Sequence, residues 1–304
     1  MSLIKIEKKI KKFNKSLITS GDKSLSIRWA LLASQSPYKS KSYNLLDSED
    51  VLNTLRCLRK LGVKIKLTKK FCEIFGVGLN GFKYKKSLSL NAGNSGTLGR
   101  LIMGLLVHSR SNIKLRGDKS LSRRDFSRVS KPLERFGAKF KTNSGKLPIY
   151  IKGTDNPLPI SYNETRGSAQ CKSAVMLAAL NTRGETIIKA KKSRDHSELL
   201  FKYLKLPIKI SKKKNYDLIR IKGKKKIPSI NYRIPADISS SAFFIVLTAL
   251  SKNSKLKIRN ININPSRTGI LSILKIMKVK IKVLNKRTYK GEHIADLLVH
   301  GSKK

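Results

Sequence analysis

One short pattern recurs four times along the chain and limits what it can fold into. A stretch that reads as the end of an amphipathic helix runs into a brief strand with lysine at alternate positions. The copies are Lys60-Leu61-Gly62-Val63-Lys64-Ile65-Lys66, Arg135-Phe136-Gly137-Ala138-Lys139-Phe140-Lys141, Tyr203-Leu204-Lys205-Leu206-Pro207-Ile208-Lys209 and Ile276-Met277-Lys278-Val279-Lys280-Ile281-Lys282. Aligned on residues 62, 137, 206 and 279, they stand 75, 69 and 73 residues apart. A period of about 70 residues is long for a solenoid repeat and suits a βαβαββ unit. Gly62 and Gly137 are placed to end helices, and the alternating lysines predict strands with one solvated face.

Each repeat also carries a second kind of helix, expected over residues 24–34, 97–107, 168–180 and 239–250. All four begin with Ser or Thr and are apolar on nearly every side afterwards. Helices of that kind are buried rather than laid on a surface. Buried parallel helices with capped N-termini on one side would add their dipoles there and collect anions.

The turns that start these helices are rich in donors. Leu90-Asn91-Ala92-Gly93-Asn94-Ser95-Gly96-Thr97 packs Asn, Gly and Ser before a helix start, with Arg100 one turn inside. A cation there opposes the helix dipole unless an anion is to be bound. Gly21-Asp22-Lys23-Ser24-Leu25-Ser26-Ile27-Arg28 offers an ammonium, a hydroxyl and a guanidinium fork. It returns, changed at one position, as Gly117-Asp118-Lys119-Ser120-Leu121-Ser122-Arg123-Arg124. Arg166-Gly167-Ser168-Ala169-Gln170-Cys171-Lys172-Ser173 repeats the theme, and Lys192-Ser193-Arg194-Asp195-His196-Ser197-Glu198 reads as a helix start with acids near its N-terminus.

Composition narrows the function classes. The 304 residues suffice for about two domains. Cys57, Cys72 and Cys171 are scattered with no CxxC and no His pairing, so no disulfide framework, zinc site or other metal is expected. That predicts a cytoplasmic protein. The basic stretch 5–12 has no apolar segment behind it, so no secretory signal is expected, and the apolar run 242–250 is too short to span a bilayer. The net charge is +49, from 67 basic and 18 acidic residues. Such a surplus first suggests nucleic acid. Yet the lysines are spread over the whole chain, without a basic tail or an RNP-like aromatic pattern, so no specific nucleic-acid partner is expected.

In order and in residue type, these turns resemble those of the EPSP synthase (3-phosphoshikimate 1-carboxyvinyltransferase) family. The resemblance continues through Asp237-Ile238-Ser239-Ser240, Asn264-Pro265-Ser266-Arg267-Thr268-Gly269 and Gly291-Glu292-His293-Ile294-Ala295-Asp296-Leu297. It implies an α/β fold, an inside-out barrel of βαβαββ units with the helices inside. Residues 21–236 would form a first domain of three units, and residues 1–20 with 237–304 part of a second. By the same resemblance Lys23, Ser24, Arg28, Ser168, Gln170 and Arg194 hold shikimate 3-phosphate. Lys23, Asn94, Gly96, Arg124 and Gln170 hold phosphoenolpyruvate, and Lys23 is the catalytic residue within this chain.

The implied reaction is enolpyruvyl transfer to the 5-hydroxyl of shikimate 3-phosphate, without a cofactor, by a monomer. Family members continue beyond the last matched motif and carry their acid and base there. A fragment, a truncated gene or half of a split enzyme with a separate C-terminal piece is therefore expected. Other readings are an inactive phosphate-binding remnant, a basic nucleic-acid binder and the enolpyruvyl transferase acting on UDP-N-acetylglucosamine. The last has Asn after the first Lys, where Ser24 stands, and a reactive Cys near residues 115–125, where none occurs. Three positions depart from the family pattern: Ser20 and Asp125 stand for Pro, and Ala236 for Gly.

Overall fold

In the computed structural model, residues 5 and 10–302 are described; residues 6–9 of the basic N-terminal stretch lie outside them. The chain divides into two compact units, residues 21–234 and residues 1–20 with 235–304. The larger unit therefore closes at 234, two residues before the expected boundary.

The larger unit starts with α1 (Lys23–Ser34), which β1 (Asn14–Leu17) of the smaller unit precedes in the chain. It continues through β2 (Lys39–Tyr43), α2 (Glu49–Lys60), β3 (Lys64–Leu67) and β4 (Phe71–Phe75). A second repeat follows: β5 (Ser87–Asn91), α3 (Gly96–Leu105), β6 (Asn112–Arg116), α4 (Lys119–Ser122), α5 (Ser127–Glu134), β7 (Lys139–Asn143) and β8 (Lys146–Lys152). The third is β9 (Ser161–Glu164), α6 (Ala169–Leu180), β10 (Glu185–Lys191), α7 (His196–Tyr203), β11 (Ile208–Lys212) and β12 (Tyr216–Lys222), after which comes the short β13 (Tyr232–Arg233).

Each repeat builds a four-stranded sheet of one design. The orders are β13-β2-β4-β3, β5-β6-β8-β7 and β9-β10-β12-β11. In each, the first two strands pair in parallel and the rest antiparallel. The first repeat takes its opening strand, β13, from the far end of the unit, which ties residue 232 to Ser42.

The four lysine-alternating strands expected from the sequence are β3, β7, β11 and, in the smaller unit, β15 (Ile281–Tyr289). Each is the last strand of its sheet. Lysines on an exposed edge discourage pairing with another chain, so this part of the charge surplus has a structural use. The residues in left-handed conformation at the ends of the preceding helices are Gly62, Gly137, Lys205 and Lys278. The alignment on 206 and 279 was thus one residue late, because Lys rather than Gly fills the left-handed position in the last two repeats.

The apolar helices α1, α3 and α6 lie inside this unit. α1 buries every residue from Leu25 to Ser34, and α6 every residue from Cys171 to Leu180. They run parallel. Thr97 and Gln170 meet near the N-terminal ends of α3 and α6, and farther along α3 a Cβ on Gly104 would lie 2.1 Å from the carbonyl oxygen of Ala174 in the middle of α6.

The smaller unit contains β1, α8 (Ile238–Leu250), β14 (Lys255–Asn262), α9 (Gly269–Ile276), β15 and β16 (Glu292–His300), with sheet order β1-β14-β16-β15. It is the same βαβαββ design, with the larger unit inserted after β1. Here the expectation of a buried helix over 239–250 is corrected. α8 buries only Ile238, Ser241, Ile245 and Thr248, and leaves Phe243 80% and Leu250 77% exposed. α1, α3 and α6 cover one another, whereas α8 packs chiefly on the strands of its own sheet.

Candidate anion-binding active site

The three buried helices of the larger unit begin with side-chain caps. Asp22 accepts from the Leu25 amide at 2.9 Å, Ser95 from Leu98 at 3.3 Å and Ser168 from Cys171 at 3.3 Å. Around these starts stand most of the residues singled out by the sequence. Lys23 and Ser24 open α1, Asn94 and Gly96 open α3, and Ser168 and Gln170 open α6.

Arg28 is buried one turn inside α1. It donates from Nε to Ser197 Oγ at 2.8 Å, from Nη2 to Ser173 Oγ at 3.1 Å and from Nη1 to the Ser24 carbonyl at 3.1 Å. Lys23 Nζ lies 3.6 Å from Asp50 at the start of α2. Asp50 was not singled out from the sequence; it reads there as an ordinary acid in the first turn of a helix.

Asn94 is a bridge. Its amide donates to Asp118 Oδ2 at 2.7 Å, and its oxygen accepts from Arg124 Nη2 at 3.1 Å. The Asp118 carboxyl is held below its ordinary range, first by the Leu121 amide that donates to it. Gly96 allows close approach of two cations: a Cβ there would meet Arg100 Nη1 at 2.9 Å and Arg124 Nη1 at 3.1 Å. Arg194 stands exposed in the turn before α7.

Arg100 answers the question that its position raised. Protein oxygens reach both of its Nη groups, whereas its Nε is buried without a hydrogen-bond partner. Nη1 donates to Gln170 Oε1 at 2.9 Å and Nη2 to the Asp125 carbonyl at 3.2 Å, with the guanidinium 4.9 Å from the centre of the Phe126 ring. Gln170 is held at its other end as well, donating to Thr97 Oγ1 at 3.0 Å. Two further supports escaped the sequence reading. Glu164 accepts from the amides of Arg166 and Ser168 and so shapes the turn before α6. Glu198, expected as a dipole partner at the start of α7, is instead buried against Lys172.

The departures at 125 and 236 are accommodated locally. The Asp125 carboxylate accepts from the Ser127 hydroxyl at 2.6 Å and amide at 2.7 Å, which hold its carboxyl below the usual range. Ala236 is buried and pairs with Asn260 and Asn262 through its backbone, without positive φ. The thiols of Cys57 and Cys72 are pushed up to about 11 and about 12, in both cases chiefly by burial. Among the described residues no group of His, Cys, Asp and Glu could hold a metal ion, and no helix is long and apolar enough to cross a membrane.

In the smaller unit, the matched motifs hold its own turns. Arg267 donates to Asp237 Oδ1 at 3.3 Å and to Ser239 Oγ at 2.7 Å. Buried Glu292 accepts from Asn262 and Asn264.

Repeated βαβαββ units, with buried helices whose capped N-termini stand beside guanidinium groups, define an α/β protein. The family model of EPSP synthase (3-phosphoshikimate 1-carboxyvinyltransferase) matches residues 7–299, and the chain belongs to that family. It is 40% identical over 283 residues to a 3-phosphoshikimate 1-carboxyvinyltransferase of Vesicomyosocius okutanii, covering 93% of this chain and 64% of the relative. The namesake protein of Petrotoga mobilis is 40% identical over 294 residues, 95% of this chain and 67% of its own length. The solved EPSP synthase of Acinetobacter baumannii superposes with a TM-score of 0.87 at 35% identity, covering 96% of this chain and 65% of that one. The chain thus spans about two thirds of the length of these relatives.

Proposed function

We propose that this chain binds shikimate 3-phosphate and phosphoenolpyruvate for the transfer of the enolpyruvyl group to the 5-hydroxyl of shikimate 3-phosphate. The observation that carries this reading is the gathering of Lys23, Arg28 and Arg124 with the capped starts of α1, α3 and α6. Both substrates carry about three negative charges, and preorganised cations and amide dipoles stabilise such charge through a reaction. Ser24, Arg28, Ser168, Gln170 and Arg194 take the shikimate phosphate side. Asn94, Gly96 and Arg124 take phosphoenolpyruvate. Lys23 reaches both substrates, and its contact with Asp50 keeps the ammonium at the start of α1.

In the reaction, the methylene carbon of phosphoenolpyruvate gains a proton and the 5-hydroxyl oxygen bonds to its C2. The hydroxyl proton is lost; the methyl group of the tetrahedral intermediate then gives up a proton as phosphate leaves, which restores the methylene double bond in the enolpyruvyl ether. By family resemblance the acid and base lie in the third of the relatives that this chain does not span. Turnover therefore needs that part, whether joined or separate. The exposed Phe243, Phe244, Val246, Leu247 and Leu250 of α8 support a polypeptide partner of that kind. The unpaired thiols support the cytoplasm as its compartment.

The test is phosphate release from phosphoenolpyruvate that depends on shikimate 3-phosphate. The 304-residue chain alone should give none above background, and release should appear when the C-terminal third of a relative is added. General acid–base catalysis contributes about 10² to 10⁴ in rate. Release at an ordinary enzyme rate by the chain alone would contradict the division of labour.

A further inference from the structure

Beside Arg28 lies a charged pair that none of the proposed substrate contacts uses. Lys172 of α6 and Glu198 of α7 have side chains 0% and 4% exposed, with Nζ 2.5 Å from Oε1. No other side chain among the described residues hydrogen-bonds to either. Burial pushes the Glu198 carboxyl above its ordinary range, against the pull of the Lys172 charge. Taking two ions out of water costs several kcal/mol for each, and apolar replacements of such pairs are often neutral or stabilising. Stability alone is therefore a weak reason for this one.

The residues next to the pair supply a better reason. Ser173 follows Lys172 in α6, and Ser197 precedes Glu198 in α7. Their hydroxyl oxygens are 2.7 Å apart, and they are the two hydroxyls that accept from Arg28. A small slide of α7 along α6 would part these hydroxyls and release one side of the guanidinium. The ion pair stands one residue from both and opposes that slide.

We propose that Lys172 and Glu198 are positioning residues: their contact fixes α7 against α6 so that Ser173 and Ser197 together hold the Arg28 guanidinium. This rests on reading Arg28 as a substrate-binding residue, but the arrangement of Arg28 can be measured without substrate.

The experiment uses the full chain and the double variant Lys172→Met/Glu198→Leu, with the milder Glu198→Gln as a second variant that keeps the shape. The first reading is the nitrogen-15 NMR signal of the Arg28 Nε–H, assigned by its loss in Arg28→Lys. Donation to Ser197 in a buried site should make this proton exchange slowly in the original chain. Exchange should be at least tenfold faster in the double variant and several-fold faster in Glu198→Gln, with the unfolding midpoint little changed. The second reading is calorimetric affinity for shikimate 3-phosphate. It should weaken about tenfold in the double variant, the size of one hydrogen bond to a charged group, and the double variant should add no loss to that caused by Arg28→Ala. Unchanged exchange in whichever variant folds overturns the proposal, and so does full additivity with Arg28→Ala. If the original chain does not bind shikimate 3-phosphate, the substrate assignment fails instead, while the exchange reading still decides the positioning role.

Discussion

Arg100 donates a hydrogen bond to Gln170 across 70 residues of chain, Nη1 to Oε1 at 2.9 Å, and thereby joins α3 to α6 at their N-terminal ends. The bond uses a neutral acceptor. Among the described residues no carboxylate pairs with the guanidinium, so its charge still contributes to the field at the helix starts.

Gln170→Glu tests this directly. The new carboxylate would pair with Arg100 and cancel that charge. The unfolding midpoint should stay level or rise, whereas calorimetric affinity for shikimate 3-phosphate should fall about tenfold or more. A variant that binds as well as the original chain would show that the charge of Arg100 does not matter.

Gly104 of α3 packs against α6, with no room for a Cβ beside the Ala174 carbonyl. Gly104→Ala gains helix propensity of about 1 kcal/mol, but it must push the helices apart. Overpacking of this kind costs roughly 1–3 kcal/mol, and here the clash is with backbone. Urea unfolding should give a net loss of about 1–2 kcal/mol.

Lys205 and Lys278 hold left-handed conformation at φ 51° and 58°, where the equivalent residues are Gly62 and Gly137. A non-glycine residue there costs about 1–2 kcal/mol, partly offset by the greater freedom of glycine in the unfolded chain. Lys205→Gly and Lys278→Gly should each raise stability by about 0.5–1 kcal/mol, read from the denaturant midpoint. A loss would mean that the lysine stems contribute more than the backbone conformation costs.

His108 gives a pH dependence of fixed sign. Burial lowers its pKa from 6.5 to about 4, despite the contact of Nε2 with the Ala178 carbonyl at 3.4 Å. Above pH 6.5 the ring is neutral in both folded and unfolded chains. As pH falls, the unfolded chain takes up the proton first, so stability is lost between about 6.5 and about 4. The loss from this group reaches at most roughly 3 kcal/mol. In His108→Gln the stability curve should be flatter over that window, and a curve parallel to the original would contradict the assignment.

Much of the architecture was legible because its signals are local. The apolar helices and the alternating lysines each report on a few neighbouring residues, and their recurrence about every 70 residues marks the repeat; the loan of β13 to the first sheet was not legible. The exposure of α8 was not legible, since an apolar helix looks the same whether or not other helices cover it. The two copies of Gly-Asp-Lys-Ser-Leu-Ser show the same limit. Both begin with an aspartate cap, on Leu25 at 2.9 Å and on Leu121 at 2.7 Å. The first then runs through Trp29-Ala30-Leu31-Leu32 into a buried helix of 12 residues, while the second stops after 4 at Ser122, before Arg123-Arg124-Asp125. Arg28 is buried on two serines in consequence, and Arg124 stands exposed on Asn94. Asp50 lies far in sequence from Lys23, and Lys172 from Glu198, while Glu164 holds amides only two and four residues on; no short motif marks any of these supports.

The central claim is that the helix starts of the larger unit, with Arg28 among them, form a site for shikimate 3-phosphate. Calorimetric titration of the full chain with shikimate 3-phosphate at low salt tests it most directly. The account predicts saturable heat that is lost in a folded Arg28→Ala variant. It also predicts only moderate weakening at physiological salt, because contacts within a few ångströms are poorly screened. Equal heat from the original chain and the folded Arg28→Ala variant, or no heat from either, would contradict it.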